Sequence, residues 1–167
     1  MMGIVCTSIA ELQQHLQHER TEGKRIISTN GCFDLLHTGH ARYLQQAKAL
    51  GDCLVVALNS DSSVKRFKSD LRPILPEAER AELLAALACV DYVIVFDETN
   101  PVDTLLAIAA DIHTKGTDYT AETLPEAPAL LKAGIELAFL PLIEGRSTSS
   151  IITKIEALLQ QKDATVC

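Results

Sequence analysis

A chain of 167 residues with 47% hydrophobic side chains is long and apolar enough to bury a substantial core, which excludes a disordered segment. Its formal net charge of −7 excludes the broad basic footprint of a general nucleic-acid binder, but leaves room for a small basic pocket. With no Trp and 4% aromatic residues, a base-stacking platform is excluded too.

Ser8 followed by Glu11 has the form of a capping box and predicts a polar helix running to about Arg20. Arg25 to Thr29 (RIIST) reads as the first strand. Thr38 is placed to cap a helix from about Gly39 to Leu50, with Gly51 ending it. Cys53 to Leu58 (CLVVAL) is a continuous β-branched apolar run, the pattern of a parallel strand buried on both faces. Pro76 opens a helix to about Ala88, and Tyr92 to Phe96 (YVIVF) is the third strand. Pro101 opens a helix to Ala110. Ile112 to Lys115 is a fourth strand, Leu124 to Ala133 is partly helical, and Glu136 to Leu142 is a fifth strand. Ser147 or Thr148 caps a last helix to about Gln161.

Alternating strands and helices predict an α/β fold: a Rossmann-like, parallel, five-stranded sheet with helices on both faces. One domain is expected over 1–167, with an N-terminal helix in 1–23 and a core in 24–161. Ligands in such sheets bind beyond the carboxyl ends of the strands. The candidate loops are therefore Asn30 to His40, Asn59 to Asp61, Asp97 to Asn100, Gly116 to Tyr119 and Glu144 to Ser149.

The first of these, NGCFDLLHTGH, carries the most chemistry. Gly31 and Gly39 remove side chains where backbone must approach a ligand. His37 and His40 are three apart at a helix start, so both rings can share a face beside unpaired N–H groups and the positive end of the helix dipole. Two imidazoles there make a phosphate cradle. The same pair can also cap the helix or bind a metal, but with no Cys or further His nearby it is a poor zinc set, and no metal ligands are assigned. His15 and His18 share the spacing and read as exposed on a polar helix.

Five scattered cysteines (Cys6, Cys32, Cys53, Cys89 and Cys167) contain no CxxC pair and read as free thiols of a reducing compartment. The N-terminus has no basic stretch followed by an apolar one, and no apolar run reaches membrane length. A cytoplasmic protein with no membrane partner is expected.

GCFDLLHTGH resembles the GxFDxxHxGH signature of the cytidylyltransferase-like nucleotidyltransferases. The resemblance continues through Asn59-Ser60-Asp61, Lys65-Arg66-Phe67-Lys68, Arg72-Pro73, Glu79-Arg80, Lys115-Gly116-Thr117-Asp118-Tyr119 and Gly145-Arg146-Ser147-Thr148-Ser149-Ser150-Ile151-Ile152. The TNGCFD flank is most similar to the subfamily of D-glycero-β-D-manno-heptose 1-phosphate adenylyltransferases, and 167 residues leave no room for a sugar-kinase domain, so the freestanding form is expected. Two positions depart from the pattern: Ser69 stands where Gly is expected after Lys68, and Thr117 replaces a second Gly.

The resemblance implies that ATP, carried with Mg2+, reacts with a sugar phosphate and releases pyrophosphate. It assigns catalysis to His37, His40, Lys68 and Arg72. Nucleotide binding falls to Asn30, Gly31, Cys32, Phe33, Gly39, Lys115, Gly116, Asp118, Ser147 and Thr148, and the sugar phosphate to Asn59, Asp61, Lys65, Arg80 and Tyr119. Lys65, Lys68 and Arg72 would share one face if their segment stayed helical. Arg80 either reaches the sugar phosphate or pairs with Glu77, and Asp34 organises its loop. A homodimer is expected from the same resemblance. A phospho-alcohol cytidylyltransferase, an FMN adenylyltransferase and a non-catalytic nucleotide sensor are the alternatives.

Overall fold

Strand β1 (Ile4–Cys6) enters the sheet first, followed by α1 (Ile9–Thr21), β2 (Ile26–Gly31), α2 (Thr38–Lys48) and β3 (Cys53–Asn59). Then come α3 (Asp61–Phe67), α4 (Glu77–Ala85), β4 (Tyr92–Phe96), α5 (Val102–Ile108), β5 (Ile112–Gly116), α6 (Ala127–Lys132), β6 (Glu136–Leu140) and α7 (Thr148–Thr165). This computed structural model describes residues 2–143, 145 and 147–165; Glu144, Arg146 and Cys167, named above, lie outside them.

The sheet is parallel throughout, in the order β1-β4-β3-β2-β5-β6. It has six strands where the sequence predicts five. The additional strand, β1, is three residues long, too short for any periodicity to show. It nevertheless pairs with β4, Ile4 opposite Tyr92. The segment before residue 24 also contributes to the core: Cys6, Leu12 and Leu16 are buried with Ile26, Val55 and Leu105. Helices α1, α5 and α6 supply that face. Helices α2 and α4 cover the other, where Tyr43, Leu44, Ala81 and Leu84 pack on Ile27, Leu54, Val56 and Val93. Strand β3 is buried along its whole length, as its uninterrupted apolar run requires.

From β2 the chain first winds outward through β3 and β4. It then crosses back to lay β5 and β6 on the other side of β2. The winding therefore reverses between β2 and β5, and a crevice opens there at the carboxyl ends. Tyr43 fixes this seam from below: its hydroxyl meets Thr29 Oγ1 at 2.8 Å on β2 and donates to Thr114 Oγ1 at 3.2 Å on β5.

Candidate active site

A cleft of about 410 Å³ opens at that reversal. Its walls include Asn30, Gly31, Cys32, Phe33, Gly39, Lys115, Gly116, Asp118, Tyr119, Ser147 and Thr148, together with His37, His40, Lys68 and Arg72. The sequence-derived candidates thus converge, apart from Asn59, Asp61, Lys65 and Arg80.

The signature loop is built with unusual backbone. Phe33 and Leu35 hold φ of 44° and 49°, a left-handed conformation that non-glycine residues adopt at a cost of about 1–3 kcal/mol each. Asp34, between them, pins the loop. Its carboxylate, fully buried, accepts from Arg72 Nε at 2.7 Å and from the amides of Ile74 at 2.9 Å and Leu75 at 3.1 Å. Its carbonyl accepts from Thr148 Oγ1 at 2.7 Å. Burial alone would raise the Asp34 pKa, but those amides and the Arg72 guanidinium outweigh it and hold the carboxyl below its usual range.

His37 caps α2, where Thr38 was expected to do so: its Nδ1 accepts from the Gly39 amide at 3.1 Å. A neutral ring that accepts at Nδ1 carries its proton on Nε2, which makes it a donor. The His40 ring stacks on that of His37 and meets the edge of Phe33 at 5.3 Å. Burial, with the neighbouring His37, drives the His40 pKa down to about 4 against the opposing pull of Asp34, so His40 is neutral at physiological pH. Its Nδ1 is buried without a hydrogen-bond partner among the described residues.

On the floor, Lys115 Nζ donates to the Asn30 carbonyl at 3.2 Å, lies 3.8 Å from Glu126, and sits over the Tyr119 ring at 5.4 Å. Burial lowers its pKa, with Glu126 and Asp118 opposing. Gly116 has no room for a side chain, because a Cβ would stand 2.5 Å from Asp118 Oδ1 and 2.9 Å from Leu142. Ser147 Oγ accepts from the Ser150 amide at 3.1 Å, capping the first turn of α7 beside the cleft. Burial raises the Cys32 thiol pKa, so it is a neutral wall group rather than a nucleophile.

Three of the four outlying candidates have structural partners, and the fourth, Lys65, faces solvent. The Asn59 amide donates to Ser63 Oγ at 3.0 Å. Lys65 stands exposed on α3, which ends at Phe67; Lys68 is its C-cap, so the expected shared helical face does not form. Pro73 keeps the helix from resuming at Arg72, because the residue before a proline is biased away from helix. Arg66 turns away to Asp97. Arg80 is fully buried, bound to Asp61 rather than to Glu77 or an open phosphate site.

Sequence reasoning missed Tyr43, Leu142, Ile143 and Glu126. Tyr43 follows His40 by one helical turn, and Leu142 and Ile143 follow β6, so helical spacing and the strand-end rule each pointed to them. Glu126 is buried beside Lys115 by the fold alone.

The arrangement is a crevice with three cationic side chains, two imidazoles and a capped helix start, suited to holding polyphosphate. The cytidylyltransferase-like family profile matches residues 28–154, which takes in every element of this cleft. The chain belongs to the cytidylyltransferase-like nucleotidyltransferases. Within that family it is 49% identical over 144 residues to the bifunctional protein HldE of Syntrophotalea carbinolica, and 46% identical over 144 residues to that of Citrifermentans bemidjiense. Each alignment takes 86% of this chain but only 29% and 30% of the relative, so the chain spans less than a third of those proteins. The lipopolysaccharide core biosynthesis protein of Thermoplasma volcanium superimposes with a TM-score of 0.61 at 31% identity, over 74% of this nucleotidyltransferase and 100% of that chain.

Proposed function

We propose that this nucleotidyltransferase moves the adenylyl group of ATP onto D-glycero-β-D-manno-heptose 1-phosphate, giving ADP-heptose and pyrophosphate for cell-surface polysaccharide. The observation that carries the reaction type is the stacked His37–His40 pair lining one cleft with Lys68 and Arg72. The choice of heptose rests on the TNGCFD flank and on the likeness to the HldE proteins and the lipopolysaccharide core protein.

A phosphate oxygen of the sugar phosphate attacks the α-phosphorus of ATP, and the bond from that phosphorus to the pyrophosphate oxygen breaks. A phosphate monoester with a second pKa of about 6 is already mostly dianionic, so no general base is required. The difficulty is holding two polyanions in line, which positioning and charge compensation supply. His37 and His40 donate to the triphosphate, Lys68 and Arg72 offset charge as pyrophosphate leaves, and the first turn of α7 at Ser147 and Thr148 receives the outer phosphates. Asp118 and Gly116 receive the ribose, Leu142 and Ile143 the base, Asn30, Cys32 and Lys115 line the nucleotide side of the cleft, and Tyr119 faces the sugar phosphate. Among the described residues no group of three or more His, Cys, Asp or Glu is spaced to hold a metal, and Asp34 is committed to Arg72. This donor set fits magnesium carried in on the ATP phosphates and water.

We place the protein in the cytoplasm; none of the described helices is long and apolar enough to cross a membrane. We further propose a homodimer, supported by the exposed Ile155, Leu158 and Leu159 on α7, with sedimentation velocity as its test.

A panel of nucleotides and acceptors, assayed with magnesium for pyrophosphate release, tests the reaction. Turnover with ATP and the heptose 1-phosphate is expected. Turnover confined to CTP with glycerol 3-phosphate would overturn the substrate assignment, and tight ATP binding with no turnover on any acceptor would favour a sensor.

A further inference from the structure

Arg80 spends all three guanidinium nitrogens inside the protein. Nε donates to the Leu75 carbonyl at 3.0 Å, Nη1 to the Cys32 carbonyl at 2.6 Å, and Nη2 to Asp61 Oδ1 at 2.7 Å. Its side chain is 0% exposed on α4, outside the cleft lining, and reaches the cleft wall through the Cys32 carbonyl.

The three acceptors belong to different walls. The Cys32 carbonyl immediately precedes Phe33, whose left-handed backbone aims its ring at His40. Leu75 closes the segment that begins at Arg72, and its own amide is held by Asp34 Oδ1. Asp61 opens α3, whose C-cap is Lys68. One planar, rigid fork thus ties the histidine wall to the segments that carry Arg72 and Lys68. A lysine cannot reproduce it, since its single nitrogen is a point donor.

We infer that Arg80 is a positioning residue that sets the separation between the histidine wall and the Lys68–Arg72 wall, without touching substrate. The kinetic part of this inference rests on the adenylyl-transfer reading above; the structural part does not. Misplacement of a wall costs turnover more than affinity, because charge compensation must be in place as the transition state forms.

The test uses Arg80→Lys, Arg72→Ala and the double variant of the full chain, with amide hydrogen exchange alongside kinetics. Expected for Arg80→Lys is a kcat about tenfold lower or more, with KM values for ATP and the sugar phosphate within about threefold. The amides of Ile74 and Leu75 should exchange about tenfold faster, while those of Val55 to Leu58 in β3 keep their protection. Added to Arg72→Ala, Arg80→Lys should cost less than it does alone, because its effect passes through Arg72. A rise confined to KM for the sugar phosphate would make Arg80 a substrate ligand and overturn the inference. So would unchanged exchange at Ile74 and Leu75, or multiplicative losses in the double variant. Should Arg80→Lys fail to fold, Asp61→Asn takes its place, since that side chain is partly exposed and keeps its shape. Faster exchange at Ile74 and Leu75 is then expected, and none would overturn the inference. A wild-type chain without turnover sinks the adenylyl-transfer proposal, while the exchange data still decide the role of Arg80.

Discussion

His37 and His40 lie ring on ring, centroids 3.9 Å apart and 22° from parallel. Two positive rings could not share that spacing cheaply, and burial resolves it by keeping His40 neutral. The pair is therefore built to donate hydrogen bonds rather than to carry fixed charge.

His40→Ala should leave the fold intact and lower kcat by about 100-fold or more, the scale of losing one preorganised donor to a transition-state oxygen. Circular dichroism alongside steady-state pyrophosphate release checks this, and a near-normal rate would remove His40 from the mechanism.

Asp34→Ala removes the acceptor for Arg72 and for the amides of Ile74 and Leu75. With Arg72 left uncompensated in a half-buried position, a loss of about 3–5 kcal/mol is expected from urea unfolding. Because the Asp34 pKa is held down in the folded protein, its contribution is present above the unfolded value, near 3.8, and is lost as pH falls through the folded one. A stability within about 1 kcal/mol of wild type would contradict the hub role.

Gly116→Ala places a methyl against Asp118 and Leu142. Both side chains must shift, and the loss of one well-aligned hydrogen bond at the ribose should raise KM for ATP about tenfold with little change in kcat. Titration calorimetry with a non-hydrolysable ATP analogue reads the same change, and unaltered affinity would move the ribose away from Asp118.

His113, buried on β5, has Nδ1 2.9 Å from Ser28 Oγ on β2, while its Nε2 lacks a partner among the described residues. Burial, aided by Lys115, pushes its pKa down to about 3, and His40 falls to about 4. Between the unfolded value near 6.5 and about pH 4 the unfolded chain binds protons that the folded one refuses. Stability therefore falls as pH drops through that window, by about 1.4 kcal/mol per pH unit for each proton. His113→Asn should remove one proton's share of the slope in urea titrations at several pH values; an unchanged slope would show that His113 does not titrate as described.

Much of this was written locally. The apolar run of β3, the YVIVF strand and the glycine and histidine spacing of the signature loop each follow from near neighbours in sequence. The rule that ligands bind at strand ends then collects Asn30, Gly116, Asp118 and Thr148, and the family resemblance adds Lys115. Strand β1 escaped because three residues carry no period, and their strand character comes from β4 alone. Thr38 read as the helix cap because hydroxyls usually serve there, yet the His37 ring reaches the Gly39 amide instead.

By itself, the sequence determined an alternating parallel α/β fold and marked the glycine- and histidine-bearing loop after β2 as the candidate site, since helix and strand periods, caps and breakers act over a few residues. Only the tertiary structure decided which charged residues face the cleft. Lys68 and Arg72 do, while Lys65 points to solvent and Arg80 binds a carbonyl 48 residues away. The physical reason is range: burial and hydrogen-bond geometry between distant segments arise when the sheet assembles, and no local pattern records them.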